Sequence, residues 1–209
     1  MKQEKNNTKR DTIIQAAISV LAERGFHNTK IRDVAQAAGV ADGTIYLYFK
    51  NKDELLIQLF EEVMSQALEI LNQAITGLET PEEKLRCLLK TQLRLVKEET
   101  DISKIISIVL RQSTVFLTEY ENIPFSRYLR LIRSLIKEGV DEGVFREDLN
   151  VYVIERAIFG ALDELALVWL LARGPSSRIP LDETANTICE LILNGIKNQP
   201  EKNSISGGE

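Results

Sequence analysis

The chain is poor in the residues that most catalytic and metal centres need. It has one histidine, His27, and two cysteines, Cys87 and Cys189, in 209 residues. A zinc site or a Ser/His triad therefore has almost no raw material. The cysteines lie far apart inside helical patterns, which reads as buried thiols rather than a disulfide or a metal pair. No apolar run reaches the roughly 18 residues of a membrane span. The opening MKQEKNNTKR lacks the apolar core of a signal peptide, so a cytoplasmic location with no membrane partner is expected. There is no Gly-rich phosphate loop, no metal-ligand spacing and no nucleophile–base pairing. An all-helical enzyme and a helical interaction protein are thus the weaker classes, and no cofactor is expected.

What is present is an ordinary globular composition, 44% apolar and 27% charged, with a net charge of −5. The charge is unevenly divided. Residues 1–52 carry nine Lys/Arg against five Asp/Glu, and residues 53–209 carry seventeen against twenty-six. A basic module on an acidic body suits nucleic acid binding by the module, because phosphate neutralisation drives most non-specific affinity.

Residues 29–52, TKIRDVAQAAGVADGTIYLYFKNK, hold the densest pattern. Ile31, Val34, Ala35 and Ala38 share one helical face, with Thr29 placed as a cap. Gly39 supplies a turn that other residues resist. A second helical pattern runs from Asp42 to Phe49. Ile45 and Phe49 point inward, and Asp42, Gly43, Thr44, Tyr46 and Tyr48 are left available. This spacing predicts a helix-turn-helix whose second helix enters the DNA major groove.

The run Ala-x-x-Ala-Gly-Val-x-x-Gly-Thr-Ile-Tyr-x-Tyr-Phe-x-x-Lys, from Ala35 to Lys52, resembles the TetR family of bacterial repressors. Carried onto matching positions, the resemblance implies DNA contacts from Arg32, Gly43, Thr44, Tyr46, Tyr48, Lys50 and Lys52. Thr44 and Tyr46 are the base-side candidates, and Arg32, Tyr48, Lys50 and Lys52 the phosphate or sugar contacts. Asp42 departs from what helps at a phosphate-rich surface. It either accepts from a cytosine amino group or acts as an N-cap.

The predicted fold is all-α. Residues 1–52 form a three-helix DNA-binding domain, residues 53–198 a helical ligand-binding and dimerisation domain, and residues 199–209 a loose tail. Residues 1–7 also read as loose, with a first helix over about 8–24 closed by Gly25. A long helix from Asn51 or Lys52 joins module to body with no Pro, Gly or Ser linker between them. Thr80-Pro81-Glu82-Glu83 opens the next helix with a cap, an N1 proline and first-turn acids. Further helices are expected over 101–121, from Pro124 to about Glu142, and over about 150–172 and 182–198. The phrase Glu138 to Phe145 also resembles TetR-type bodies. That resemblance implies a homodimer built through the last two helices, reading a palindromic operator on double-stranded DNA.

The phrases Leu110 to Ser113 and Ile158 to Glu164, with Trp169 nearby, resemble the fatty-acid-degradation repressors of the family (FadR-type). The implied effector is long-chain acyl-CoA, whose binding releases DNA. Such a ligand needs an apolar tunnel and cations for the CoA phosphates. Candidate effector residues are Leu93, Arg111, Gln112, Phe116, Arg127, Arg130, Arg133, Phe159, Asp163 and Trp169. The alternative effector is another hydrophobic small molecule, such as a drug or an aromatic compound.

Overall fold

A computed structural model of the chain describes residues 2–112, 123–172, 174 and 179–198, with side chains described over 9–107 and from 124 onward within those spans. Among the described residues the regular elements are all helices, apart from one isolated bridge between Phe145 and Lys197. Helix α1 spans Lys2–Asn28. It therefore begins six residues before the expected Thr8. Gly25, at φ 75°, interrupts it where the sequence predicts its end. Ile13, Ile14, Ala17, Ile18 and Leu21 form its buried face, at the spacing of an amphipathic helix.

Helix α2 spans Ile31–Ala37 and α3 spans Asp42–Ile45. Between them Gly39 sits at φ 65°, a left-handed backbone that a side chain would strain. Thr29 does not cap α2 as its position suggests. Its buried hydroxyl instead donates to the Gly25 carbonyl at 2.8 Å, serving the end of α1. The N-cap position of α2 is Lys30, whose backbone N–H is bound by the Asp33 carboxylate at 2.9 Å. Helix α3 is also shorter than its apolar spacing predicts. It makes one turn, and tighter turns carry the chain on through Tyr48 and Phe49.

Asn51 caps α4, Lys52–Ile75, by accepting from Glu54 N at 2.8 Å. At 1.5 Å per residue this helix runs roughly 36 Å and belongs to both halves of the molecule. Its buried face, Leu55, Leu56, Leu59, Phe60 and Val63, closes the three-helix module, and Leu71 continues into the body. A module this small buries too little surface alone, so α4 completes its core.

The body places α5, Pro81–Glu98, at its centre. Thr80 and Glu83 form the reciprocal cap that their spacing predicts, with both backbone bonds at 3.2 Å. Around α5 pack α4, then α6 (Thr100–Gln112), α7 (Ile123–Asp141), α8 (Val151–Leu171) and α9 (Leu181–Ile196). Leu85, Leu88, Leu89 and Leu93 of α5 are fully buried. Salt bridges Lys197–Glu82 at 2.7 Å and Arg86–Glu190 at 2.5 Å tie α5 to α9 and its end. Helix α1 packs on α6 as well as on α2, so the module touches the body directly.

Gly139 near the end of α7 has a packing role. A Cβ there would overlap the Phe145 ring, which is fully buried after the Gly143 turn. Cys189 is buried and Cys87 half-buried, and both are free thiols. The expected tail, residues 199–209, lies outside the described residues.

Candidate DNA interface and ligand cavity

The two helices of the helix-turn-helix are fixed from behind. Val34, Ala35, Ile45 and Phe49 bury against α1 and α4. That phase leaves Asp42, Gly43, Tyr46 and Lys50 exposed and Thr44 and Tyr48 half-buried. Tyr46 is 56% exposed, so it is not serving as core. Arg32 is exposed on α2, with only a long contact to Asp33 at 4.0 Å. Ala41, not Asp42, occupies the N-cap position of α3. Asp42 is the first helical residue, where its charge is favoured by the helix dipole. Its capping alternative is therefore corrected.

Lys52 is engaged inside the protein. Its ammonium donates to the Phe26 carbonyl and lies 4.0 Å from the Phe26 ring centre. Burial holds it below its ordinary pKa, with Asp53 acting the other way. It pins the end of α1 to the start of α4, and the phosphate role implied by resemblance competes with that bond.

The body contains a cavity of about 460 Å³, within the roughly 300–1,000 Å³ of ligand sites. Its walls come from α1 and α4 through α8. Helix α1 contributes Gln15, Ile18 and Ser19, α4 contributes Val63 to Leu71, and α6 contributes Ile102 and Ile106. Three aromatic rings form part of the wall. Phe125 and Phe159 meet edge-on at 5.3 Å, and Tyr128 stands 6.3 Å from each. The Tyr128 hydroxyl donates to Gln92 Oε1 at 2.6 Å. Burial raises the Tyr128 pKa strongly, against the opposing effect of the Gln92 bond.

Two of the effector candidates, Phe159 and Asp163, line this cavity. Leu93 and Trp169 are buried core and do not. Arg127, Arg130 and Arg133 are exposed on the outer face of α7. Their placement outside the cavity follows from helical phase, because Phe125, Tyr128 and Ile132 occupy the inner face. Arg133 donates to the fully buried Glu155 at 2.6 Å and lies over the Tyr152 ring. The side chains of Arg111 and Gln112, and Phe116 altogether, lie outside the described residues. Gln92, Tyr128, Phe125 and the α1 residues were not singled out as site residues. The period of α7 already pointed Phe125 and Tyr128 inward together, and that was the available signal. Nothing local marks Gln15, Ser19 or Gln92.

Among the described residues, no helix is long and apolar enough to cross a membrane, and no group of three His, Cys, Asp or Glu could hold a metal ion. A helix-turn-helix on a body that is helical among the described residues defines a DNA-binding regulator. The family profile described as bacterial regulatory proteins, tetR family, matches residues 13–59, and that of the YsiA-like protein C-terminal region matches residues 60–195. The chain belongs to the TetR family of transcriptional regulators, and so to repressors rather than enzymes. The fatty acid metabolism regulator protein of Bacillus subtilis (strain 168) is 35% identical over 187 residues, 90% of this chain and 95% of that protein. The crystal structure of the regulator FadR from Bacillus subtilis in complex with stearoyl-CoA superposes with a TM-score of 0.80, covering 88% of this chain and 98% of that one. FadR from Bacillus halodurans, the fatty acid degradation regulator, also gives 0.80 at 34% identity, covering 91% of this chain and 97% of that one.

Proposed function

We propose that this protein is a cytoplasmic homodimeric repressor of fatty acid degradation genes, released from a palindromic operator by long-chain acyl-CoA. The observation that carries the ligand-response part is the wall of the cavity. Gln15, Ile18 and Ser19 belong to the first helix of the DNA module, yet they border the same space as Phe159 and Asp163 of the body. A ligand in that space touches the module directly. It favours whichever setting of α1 and α4 accommodates it, and so changes the spacing of two recognition helices related by a two-fold axis. Similarity to a regulator solved with stearoyl-CoA supports the ligand class.

In this reading Thr44 and Tyr46 meet base edges, with Gly43 allowing close approach. Arg32, Tyr48 and Lys50 hold phosphates, Lys52 positions the module through Phe26, and Asp42 accepts from a cytosine amino group. Arg127 and Arg130 are the outer cations for the CoA phosphates. The apolar faces of α8 and α9 pair with those of a second copy.

One observation favours a second reading. The described lining includes Glu99, Asp101 and Asp163 but no Lys or Arg. That suits an uncharged hydrophobic compound lying wholly inside. A gel shift with DNA from the protein's own promoter separates the two. Palmitoyl- or oleoyl-CoA should abolish the shift and free CoA should not. A shift that persists at saturating acyl-CoA would falsify the acyl-CoA reading and leave the uncharged compound.

A further inference from the structure

The cavity wall contains one polar pair whose chemistry goes beyond enclosing an apolar chain. Tyr128 of α7 and Gln92 of α5 both line the cavity, beside Phe125 and Phe159. The Tyr128 hydroxyl donates to Gln92 Oε1 at 2.6 Å. A carboxamide has an acceptor edge and a donor edge. Tyr128 donates to the acceptor edge, and a turned amide would leave the phenol hydrogen without that acceptor. Among the described residues, Gln92 Nε2 has no acceptor. Gln92 is half-buried in the cavity wall, which leaves Nε2 available to donate to a ligand acceptor.

We infer that Gln92, oriented by Tyr128, is the point at which the cavity reads a carbonyl oxygen of its ligand. This rests on the acyl-CoA reading, in which that oxygen belongs to the thioester. The kinds of group near the site fit the parts of such a ligand. Arg127 and Arg130 are exposed on the outer face of the first turns of α7 and have no ion-pair partner among the described residues. Tyr128 stands on the inner face of the same turns. Leu95, Ile102, Ile106 and Leu71 give the cavity apolar walls. The ligand presents anionic phosphates, then one carbonyl, then an alkyl chain.

The test compares palmitoyl-CoA with S-hexadecyl-CoA, in which a methylene replaces the carbonyl. Binding of each to the full-length protein is measured by calorimetry for wild type, Gln92→Met and Tyr128→Phe. Gln92→Met keeps the length of the side chain and removes the N–H donors. Wild type should prefer the thioester by about tenfold, the worth of one hydrogen bond. Gln92→Met should bind both ligands within about twofold of each other. Tyr128→Phe, which frees the amide to turn, should fall between them. If Gln92→Met unfolds, the double variant Gln92→Met/Tyr128→Phe, which leaves no orphaned hydroxyl, carries the same comparison. An unchanged preference in the Gln92 variants, or no preference in wild type, overturns the assignment while acyl-CoA remains the ligand. If wild type binds neither compound, the acyl-CoA reading falls and this assignment falls with it.

Discussion

Lys52 and Phe26 are joined twice: the ammonium donates to the Phe26 carbonyl and lies 4.0 Å from the centre of its ring. Phe26 follows the Gly25 break in α1, and Lys52 is the first residue of α4. The contact therefore locks the end of α1 to the start of α4. Lys52→Met should destabilise the protein by roughly 1–2 kcal/mol, the range of a charged hydrogen bond with a partly exposed cation–π contact. Operator affinity should fall because the recognition helix is less well held. A salt titration separates positioning from phosphate contact. A positioning lysine leaves the slope of log K against log salt unchanged, whereas a phosphate contact lowers it by about one. A lowered slope with an unchanged melting temperature would remove the positioning role.

Tyr46 makes the opposite case. It is 56% exposed and gives α3 nothing to pack against. Tyr46→Ala should leave the melting temperature within error while weakening the specific operator by about tenfold or more, in the range of a base-edge contact. Non-specific DNA should bind as before. Equal weakening on specific and non-specific DNA would move Tyr46 to the phosphate set.

The parts of this architecture that were legible in the sequence are those set by near neighbours. Thr80 with Glu83, the break at Gly25 and the turn at Gly39 each act within a few residues, so spacing reveals them. Thr29 misled because its hydroxyl reaches back to Gly25 rather than forward, and both choices are local. The cavity is a different kind of object. Ile18, Leu71, Gln92, Ile106, Tyr128 and Phe159 are brought together by the packing of six helices. No window of sequence contains two of its opposed walls. Phe159 and Asp163 were found because they fall in the phrase Ile158 to Glu164, which carries the resemblance to the fatty-acid-degradation repressors. The arginines of α7 were assigned by charge alone, and helical phase then turned them to the outside.

Tyr128 gives the alkaline behaviour a sign. Burial raises its pKa well above the ordinary value of about 10. Stability from this group is therefore fully present below pH 10 and is lost as pH rises from there toward the folded pKa. In that window the unfolded phenol ionises and the folded one stays neutral. Wild type should lose more melting temperature between pH 9 and pH 11 than Tyr128→Phe does. Equal losses would show that Tyr128 ionises as readily in the folded protein.

Gly139 and Phe145 test the junction after α7. The Phe145 ring fills the place where a Cβ of residue 139 would stand. Arg146 N donates to the Ile196 carbonyl at 2.9 Å just beyond it, joining this turn to the end of α9. Gly139→Ala gains helix propensity but forces that ring to move. Overpacking of this kind destabilises by about 1–3 kcal/mol, more than the roughly 1 kcal/mol that Ala gains over Gly in a helix. Thermal melting should show a net loss. A stabilised variant would mean that the ring has room to shift.

The last two helices leave apolar surface uncovered. Leu191 is 69% exposed on α9, and Val168 and Leu171 of α8 are 45% and 70% exposed. Leu165, Ile188 and Leu191 share a shallow groove between the two helices. Ala157 and Gly160 are also exposed on α8, and small residues let a facing helix approach closely. In the dimer proposed here, a second copy covers this face. Leu191→Glu would then place an unpaired carboxylate against apolar neighbours, which is unfavourable by several kcal/mol. Light scattering should show the variant as a monomer at concentrations where wild type is a dimer. Its operator affinity should collapse, because one recognition helix cannot bridge two half-sites. Leu191→Ala should shift the dimer equilibrium in the same direction by a smaller amount, about 2 kcal/mol or less. A Leu191→Glu variant that remains dimeric and keeps its operator affinity would exclude this face from the interface.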